Sequence, residues 1–215
     1  MKIGLFGGTF NPFHNGHIGI SLYVQQTQQL EKIFFIPSGT PPHKSETGLA
    51  SAQDRYEMVK ASLKGSKTLL VSDKELNRSG PSYTIDTINA FKQDHNPDTE
   101  FYLLMGSDAF LDITTWKAKD QLFEIIKIII MLRGDQVNSR TIASFIDENI
   151  SKGYTFNSTS RIFFHTKKQE IAICQVPKID ISSTMIRKRI QNRQSIHGLV
   201  PDPVEQMIRT KELYL

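Results

Sequence analysis

The chain has 215 residues, 39% hydrophobic and 22% charged, with a net charge of +4 and a mean hydropathy of -0.31. That length can bury a full core without staples, and the one cysteine, Cys174, rules out an intramolecular disulfide and a cysteine-cluster metal site. Lysines and arginines are scattered, which suits small anionic ligands better than nucleic acid, and the longest apolar run, IIKIIIMLR, is broken by Lys127 and too short for a bilayer.

Short apolar runs alternate with amphipathic stretches along the chain, the pattern of a parallel α/β sheet. KIGLF (2–6) predicts a first, buried strand. HIGISLYVQQTQQL (17–30) has helical spacing, and KIFFIP (32–37) predicts a second strand ended by Pro37. A loop rich in Pro, Gly, Ser and Thr spans 38 to about 50. Ser51 and Asp54 then form a capping-box-like start to a helix that Gly65 stops. TLLVSD (68–73), TEFYLLMG (99–106) and IIKIIIML (125–132) predict further strands, with a helix over 84–93. After Arg133 the pattern loosens to a helix near 139–151 and a strand pair, RIFFHT and EIAICQVP, where Cys174 reads as a core residue. Two helical segments, STMIRKRIQNR and PVEQMIRTKELY, close the chain. One domain is expected, residues 1–178 as an α/β core and 179–215 as a helical section of the same domain. The first residues carry no secretory leader, so a cytoplasmic protein is expected.

Between the first strand and the first helix lies GGTFNPFHNGH (7–17), at the carboxyl edge where open α/β sheets bind ligands. Gly7 and Gly8 let a ligand approach main-chain amides, Thr9 adds a hydroxyl, and His14 and His17 share one face of a helix start. Three chemistries are open on these residues: a plain glycine turn, a zinc pair, or a cradle for phosphate beside a helix N-terminus. It is neither a Walker A loop nor a GxGxxG fingerprint. A second anion-seeking segment is DISSTMIRKRI (180–190), where Ser182, Ser183 and Thr184 offer a cap, hydroxyls and N–H groups, and Arg187 follows within one turn.

GGTFNPFHNGH resembles the (H/T)xGH signature of the nucleotidyltransferase superfamily, in the form carried by nicotinate-nucleotide adenylyltransferases. The blocks PSGTPPHK (37–44), ELNRSGPSYTIDTI (75–88), LLMGSDAFLDITTW (103–116), MLRGD (131–135), DISSTMIRKRI and GLVPDPV (198–204) agree in order, so the resemblance spans nearly the whole chain. It implies a Rossmann-like doubly wound parallel sheet with helices on both faces and a helical C-terminal section. It also implies adenylyl transfer from ATP to nicotinate mononucleotide, giving nicotinate adenine dinucleotide and pyrophosphate. The alternatives are nicotinamide mononucleotide or phosphopantetheine as acceptor, or a non-catalytic nucleotide-binding module.

Carried over residue by residue, the resemblance makes His14, His17 and Arg187 catalytic. It gives ATP to Gly7, Gly8, Thr9, Phe10, His14, His17, Gly106, Asp108, Ile181, Ser182, Ser183 and Arg187. The mononucleotide falls to Lys44, Tyr83, Thr84, Asp108, Trp116 and Arg133, with Trp116 stacking on the pyridine ring and Thr84 as helix cap and anion donor. His43 and Lys44 would swing over an anionic substrate, and Asp108 would meet ribose hydroxyls. Mg2+ is expected mainly on the ATP phosphates, with no protein residue as metal ligand. Asn11 stands where the superfamily often has aspartate, which weakens position 11 as a magnesium ligand. The expected partners are these small molecules alone, with no nucleic acid or membrane, for a monomer or homodimer.

Overall fold

The computed structural model describes residues 1–40, 48–134 and 137–215; His43, Lys44 and Asp135 lie outside the described residues. The chain divides into two compact units, one of residues 1–6, 24–31 and 83–178, the other of residues 7–23, 32–82 and 179–215. Eight strands, most of them parallel, alternate with helices among the described residues, the α/β class that the alternation predicts and the Rossmann-like fold that the resemblance implies.

In the first unit, β1 (Lys2–Gly8, whose last two residues pass into the other unit) pairs in parallel with β4 (Glu100–Gly106). β4 pairs in parallel with β5 (Lys127–Arg133), which continues in parallel to β8 (Ile171–Val176). β7 (Ile162–Phe164) and β6 (Thr155–Asn157) extend this edge antiparallel. The β5 run Ile128 to Leu132 is buried on both faces, as a central parallel strand must be. Cys174 is buried in β8, its thiol pushed up by that burial, which is a core role. Lys127, the charge that interrupts the apolar run, opens β5: its Nζ lies 2.6 Å from Glu100 Oε2 and 3.2 Å from Glu170 Oε1. Burial works against that charge, but these bonds win and hold the ammonium above its ordinary range.

Helices α3 (Thr84–Gln93), α4 (Ser107–Leu111), α5 (Lys119–Ile125) and α6 (Ser139–Asn149) belong to this unit. α4, α5 and a short 3₁₀ turn (Ile113–Thr115) fill the stretch between β4 and β5, where the sequence pattern shows none of them. Their apolar faces are one or two residues each, Phe110 in α4, Ile113 in the turn, and Leu122 and Phe123 in α5, too few to set a period. Phe110 and Phe123 meet edge to face at 6.4 Å.

The second unit holds most of α1 (Asn15–Thr27), and β2 (Lys32–Pro37) paired in parallel with β3 (Leu69–Val71) through α2 (Ala52–Ser62). Ser51 caps α2: its Oγ accepts from the Asp54 amide at 3.0 Å and donates to Asp54 Oδ2 at 2.7 Å. α7 (Ser183–Gln191) and α8 (Asp202–Thr210) are the two closing helices, and α8 packs on α2. Lys211, just past α8, bonds Asp54 and holds that carboxyl below its ordinary range. No helix among the described residues is long and apolar enough to cross a membrane.

Candidate active site

The opening loop is built on buried rings. Phe10, Phe13 and Phe35 meet edge to face at 5.2–5.8 Å, and all three are buried. Phe10 takes a left-handed backbone, φ 48, which folds its ring back over Gly8. A Cβ at residue 8 would stand 2.9 Å from that ring, so glycine there serves the Phe10 ring packed on it. The Phe10 side chain is therefore spent on packing, and only its backbone is left as a ligand contact.

The rings carry His17. Its imidazole stacks on Phe13 at 5.3 Å and on His14 at 3.6 Å, and meets the edge of Phe10 at 5.0 Å. The His14 amide donates to His17 Nδ1 at 3.2 Å, which makes Nδ1 the accepting nitrogen and leaves the ring proton to Nε2. The helix behind is anchored too. Asn15 bonds the Leu199 carbonyl through its amide at 3.0 Å and the Gly198 carbonyl through its side chain at 2.9 Å, which explains the GLVP block.

The carbonyl oxygens of the same loop are bound by side chains. Arg187 donates to the Asn11 carbonyl at 2.8 Å, and the Ser183 hydroxyl donates to the Pro12 carbonyl at 2.9 Å. The two segments, 171 and more residues apart, are thus in direct contact. Ser182 caps α7, its Oγ accepting from the Met185 amide at 3.2 Å, and Ile181 immediately precedes it. Part of what the sequence offers to an anion here is therefore committed to holding the loop. Thr9 is gripped by a residue that sequence reasoning misses, Arg55 of α2, at 2.8 Å. An arginine in an amphipathic helix reads as a solvated one; its burial depends on carbonyls that only the fold brings near.

Asn11 is buried, and both ends of its amide are in use. Nδ2 donates to the Gly48 carbonyl at 2.9 Å and Oδ1 accepts from the Ala50 amide at 3.0 Å. The side chain ties the opening loop to the far end of the 38–50 segment and is not arranged as a metal ligand.

The other described site residues lie in the first unit. Gly106 and Arg133 end the neighbouring strands β4 and β5, with Gly106 in register with Met131. Asp108, exposed in the first turn of α4, crosses back over Gly106 so closely that a Cβ there would meet its Oδ1 at 2.3 Å. Thr84 is not the cap of α3 as the sequence suggests; it is the first helical residue, and Tyr83 holds the cap position without a side-chain bond. The half-buried Trp116 is linked to this helix end through its neighbour. Lys117 Nζ lies 4.5 Å over the Tyr83 ring and 3.1 Å from Asp86 Oδ2. Trp116, Tyr83 and Thr84 therefore share one corner of the unit.

Residues 5–189 match the family model described as cytidylyltransferase-like. A protein of Desulfatibacillum aliphaticivorans named "Probable nicotinate-nucleotide adenylyltransferase" is 37% identical, covering 100% of both chains. One of the same name from Geobacter sp. (strain M21) is 36% identical over 100% of this chain and 99% of its own. Among solved structures, the Plasmodium falciparum nicotinic acid mononucleotide adenylyltransferase complexed with NaAD matches at a TM-score of 0.72 and 21% identity, over 99% of this chain and 97% of that one, a likeness of fold. The chain belongs to the cytidylyltransferase-like family and, within it, to the nicotinate-nucleotide adenylyltransferases.

The Asn11 clamp is directly testable. Replacing Asn11 with Ala strands the Gly48 carbonyl and the Ala50 amide, and should lower unfolding free energy by about 1–3 kcal/mol. Chemical denaturation measures this, and a loss below about 0.5 kcal/mol would show that the amide carries no such load.

Proposed function

We propose that the chain transfers the adenylyl group of ATP to nicotinate mononucleotide, releasing nicotinate adenine dinucleotide and pyrophosphate, and that residues 1–215 act as one nucleotidyltransferase domain. The observation that carries the residue roles is the His17 imidazole, stacked between Phe13 and His14 with its proton fixed on Nε2. A nitrogen held this way is a preorganised donor to a phosphate oxygen whose charge grows in the transition state.

The nucleophile belongs to the substrate. A phosphate oxygen of the mononucleotide attacks the α-phosphorus of ATP, and the bond to the β-bridging oxygen breaks as pyrophosphate leaves. The protein supplies position and charge, with no covalent intermediate on a side chain. In this reading His14, His17, Arg187, Gly7, Gly8, Thr9 and the Phe10 backbone meet the ATP phosphates at the opening loop. Ile181, Ser182 and Ser183 serve the same ligand from the start of α7, and Gly106 and Asp108 meet the nucleotide. Trp116 stacks on the pyridine ring, Tyr83 and Thr84 receive its carboxylate, and Arg133 and Lys44 answer the mononucleotide charge.

Among the described residues no group of three or more His, Cys, Asp or Glu side chains is arranged to hold a metal. The Asn11 amide is committed to Gly48 and Ala50, and in this reading the ion arrives on the ATP phosphates. Mg2+ bound in that way would neutralise phosphate charge during transfer. Both substrates are small dissolved anions, and the reading places the enzyme in the cytoplasm as a monomer or homodimer, without nucleic acid or membrane.

Replacing His17 with Ala should lower kcat about 100- to 1,000-fold while costing only a few degrees of Tm for the lost ring stacking. Turnover within about threefold of the parent would remove His17 from the chemistry. Replacing Trp116 with Ala should raise KM for the mononucleotide about tenfold and leave KM for ATP nearly unchanged. The reverse order would put the pyridine ring elsewhere.

A further inference from the structure

Arg55 has no accessible surface, and three of its guanidinium N–H groups donate to neutral carbonyl oxygens. Nε donates to Ala50 at 3.1 Å, one terminal nitrogen to Thr9 at 2.8 Å and the other to Gly39 at 3.0 Å. These carbonyls belong to three places in the second unit: the opening loop, the start of the 38–50 segment and its end. Burial works against the charge, with Tyr214 and Glu75 favouring it, and a guanidinium remains charged at any working pH.

Stability alone is a weak reason to keep such a group. A buried cation loses hydration that carbonyl bonds only partly replace, and apolar residues of similar volume often do as well. Its geometry suggests another use. A trans peptide sets its carbonyl and its N–H on opposite sides, so drawing the Thr9 carbonyl toward Arg55 turns the Phe10 amide away from Arg55. The plane of the 9–10 peptide is thereby fixed within a loop whose Asn11 and Pro12 carbonyls are held by Arg187 and Ser183. Two guanidinium groups then bind carbonyls of one short stretch of backbone, and both lend it positive potential.

We propose that Arg55 is a positioning residue for adenylyl transfer: it fixes the Thr9 peptide against Gly39 and Ala50 and places a permanent buried positive charge behind the phosphate-binding loop. It touches no substrate. The proposal rests on the reading of residues 7–17 as that loop.

The test compares the parent protein with Arg55→Lys, which keeps the charge but not the three-way fork. Both are assayed well below the Tm of the variant for kcat, for KM of each substrate and for affinity toward inorganic pyrophosphate. A positioning role predicts kcat reduced about 10- to 100-fold, pyrophosphate binding weakened about tenfold, and KM for the mononucleotide within about threefold of the parent. A variant with lowered Tm but parental kcat and pyrophosphate affinity would overturn it. If Arg55→Lys does not fold, the parent still decides: its slowly exchanging Arg55 Nε–H resonance should shift when pyrophosphate is added, and an unmoved resonance would overturn the proposal. Parental turnover with ATP and nicotinate mononucleotide is a separate readout. Its absence would sink the functional reading, whereas normal parental turnover beside an unimpaired Arg55→Lys sinks only the role of Arg55.

Discussion

Three carbonyl oxygens within four residues, those of Thr9, Asn11 and Pro12, are each bound by a side chain from a distant helix. Much else in the second unit serves that arrangement. α2 supplies Arg55, and Ser51 starts α2 in the place that buries it. α7 supplies Ser183 and Arg187, and its own first turn is closed by Ser182. With the carbonyls drawn to one side, a glycine-rich loop that would otherwise sample many shapes is held in one. An anion meets preset donors and does not have to organise them, which is where catalysis without a protein nucleophile has to find its rate.

The rings of Phe10, Phe13 and Phe35 do for the histidines what the arginines do for the backbone. They leave His17 one orientation, and the His14 amide leaves it one tautomer. In the first unit a different device performs the same task. Lys117, between the Tyr83 ring and Asp86, links the turn bearing Trp116 to the start of α3, so an aromatic face and hydrogen-bond donors stay together.

Much of the fold is legible in the sequence, because strands buried on both faces read as unbroken apolar runs. KIIIML and YLLM could scarcely be anything else. α4, α5 and β6 are not legible: they are three to seven residues long, and one or two buried rings cannot set a period. For the site, the motifs carry the residue types but not their partners. Ser183 and Arg187 are recognisable as anion-seeking residues, yet each donates a hydrogen bond to a carbonyl of the opening loop. Thr84 resembles a cap and is the residue after it. Arg55 gives no local signal at all, since burial of a guanidinium is decided by carbonyls from residues 9, 39 and 50.

The central claim is adenylyl transfer to a pyridine mononucleotide bearing a carboxylate. Pyrophosphate release by the full chain, with ATP and either nicotinate or nicotinamide mononucleotide and with the dinucleotide product identified by mass, tests it most directly. The account predicts release that depends on the mononucleotide, at least about tenfold faster with nicotinate, and nicotinate adenine dinucleotide in equal amount. No release with either mononucleotide, or release with phosphopantetheine alone, would contradict it.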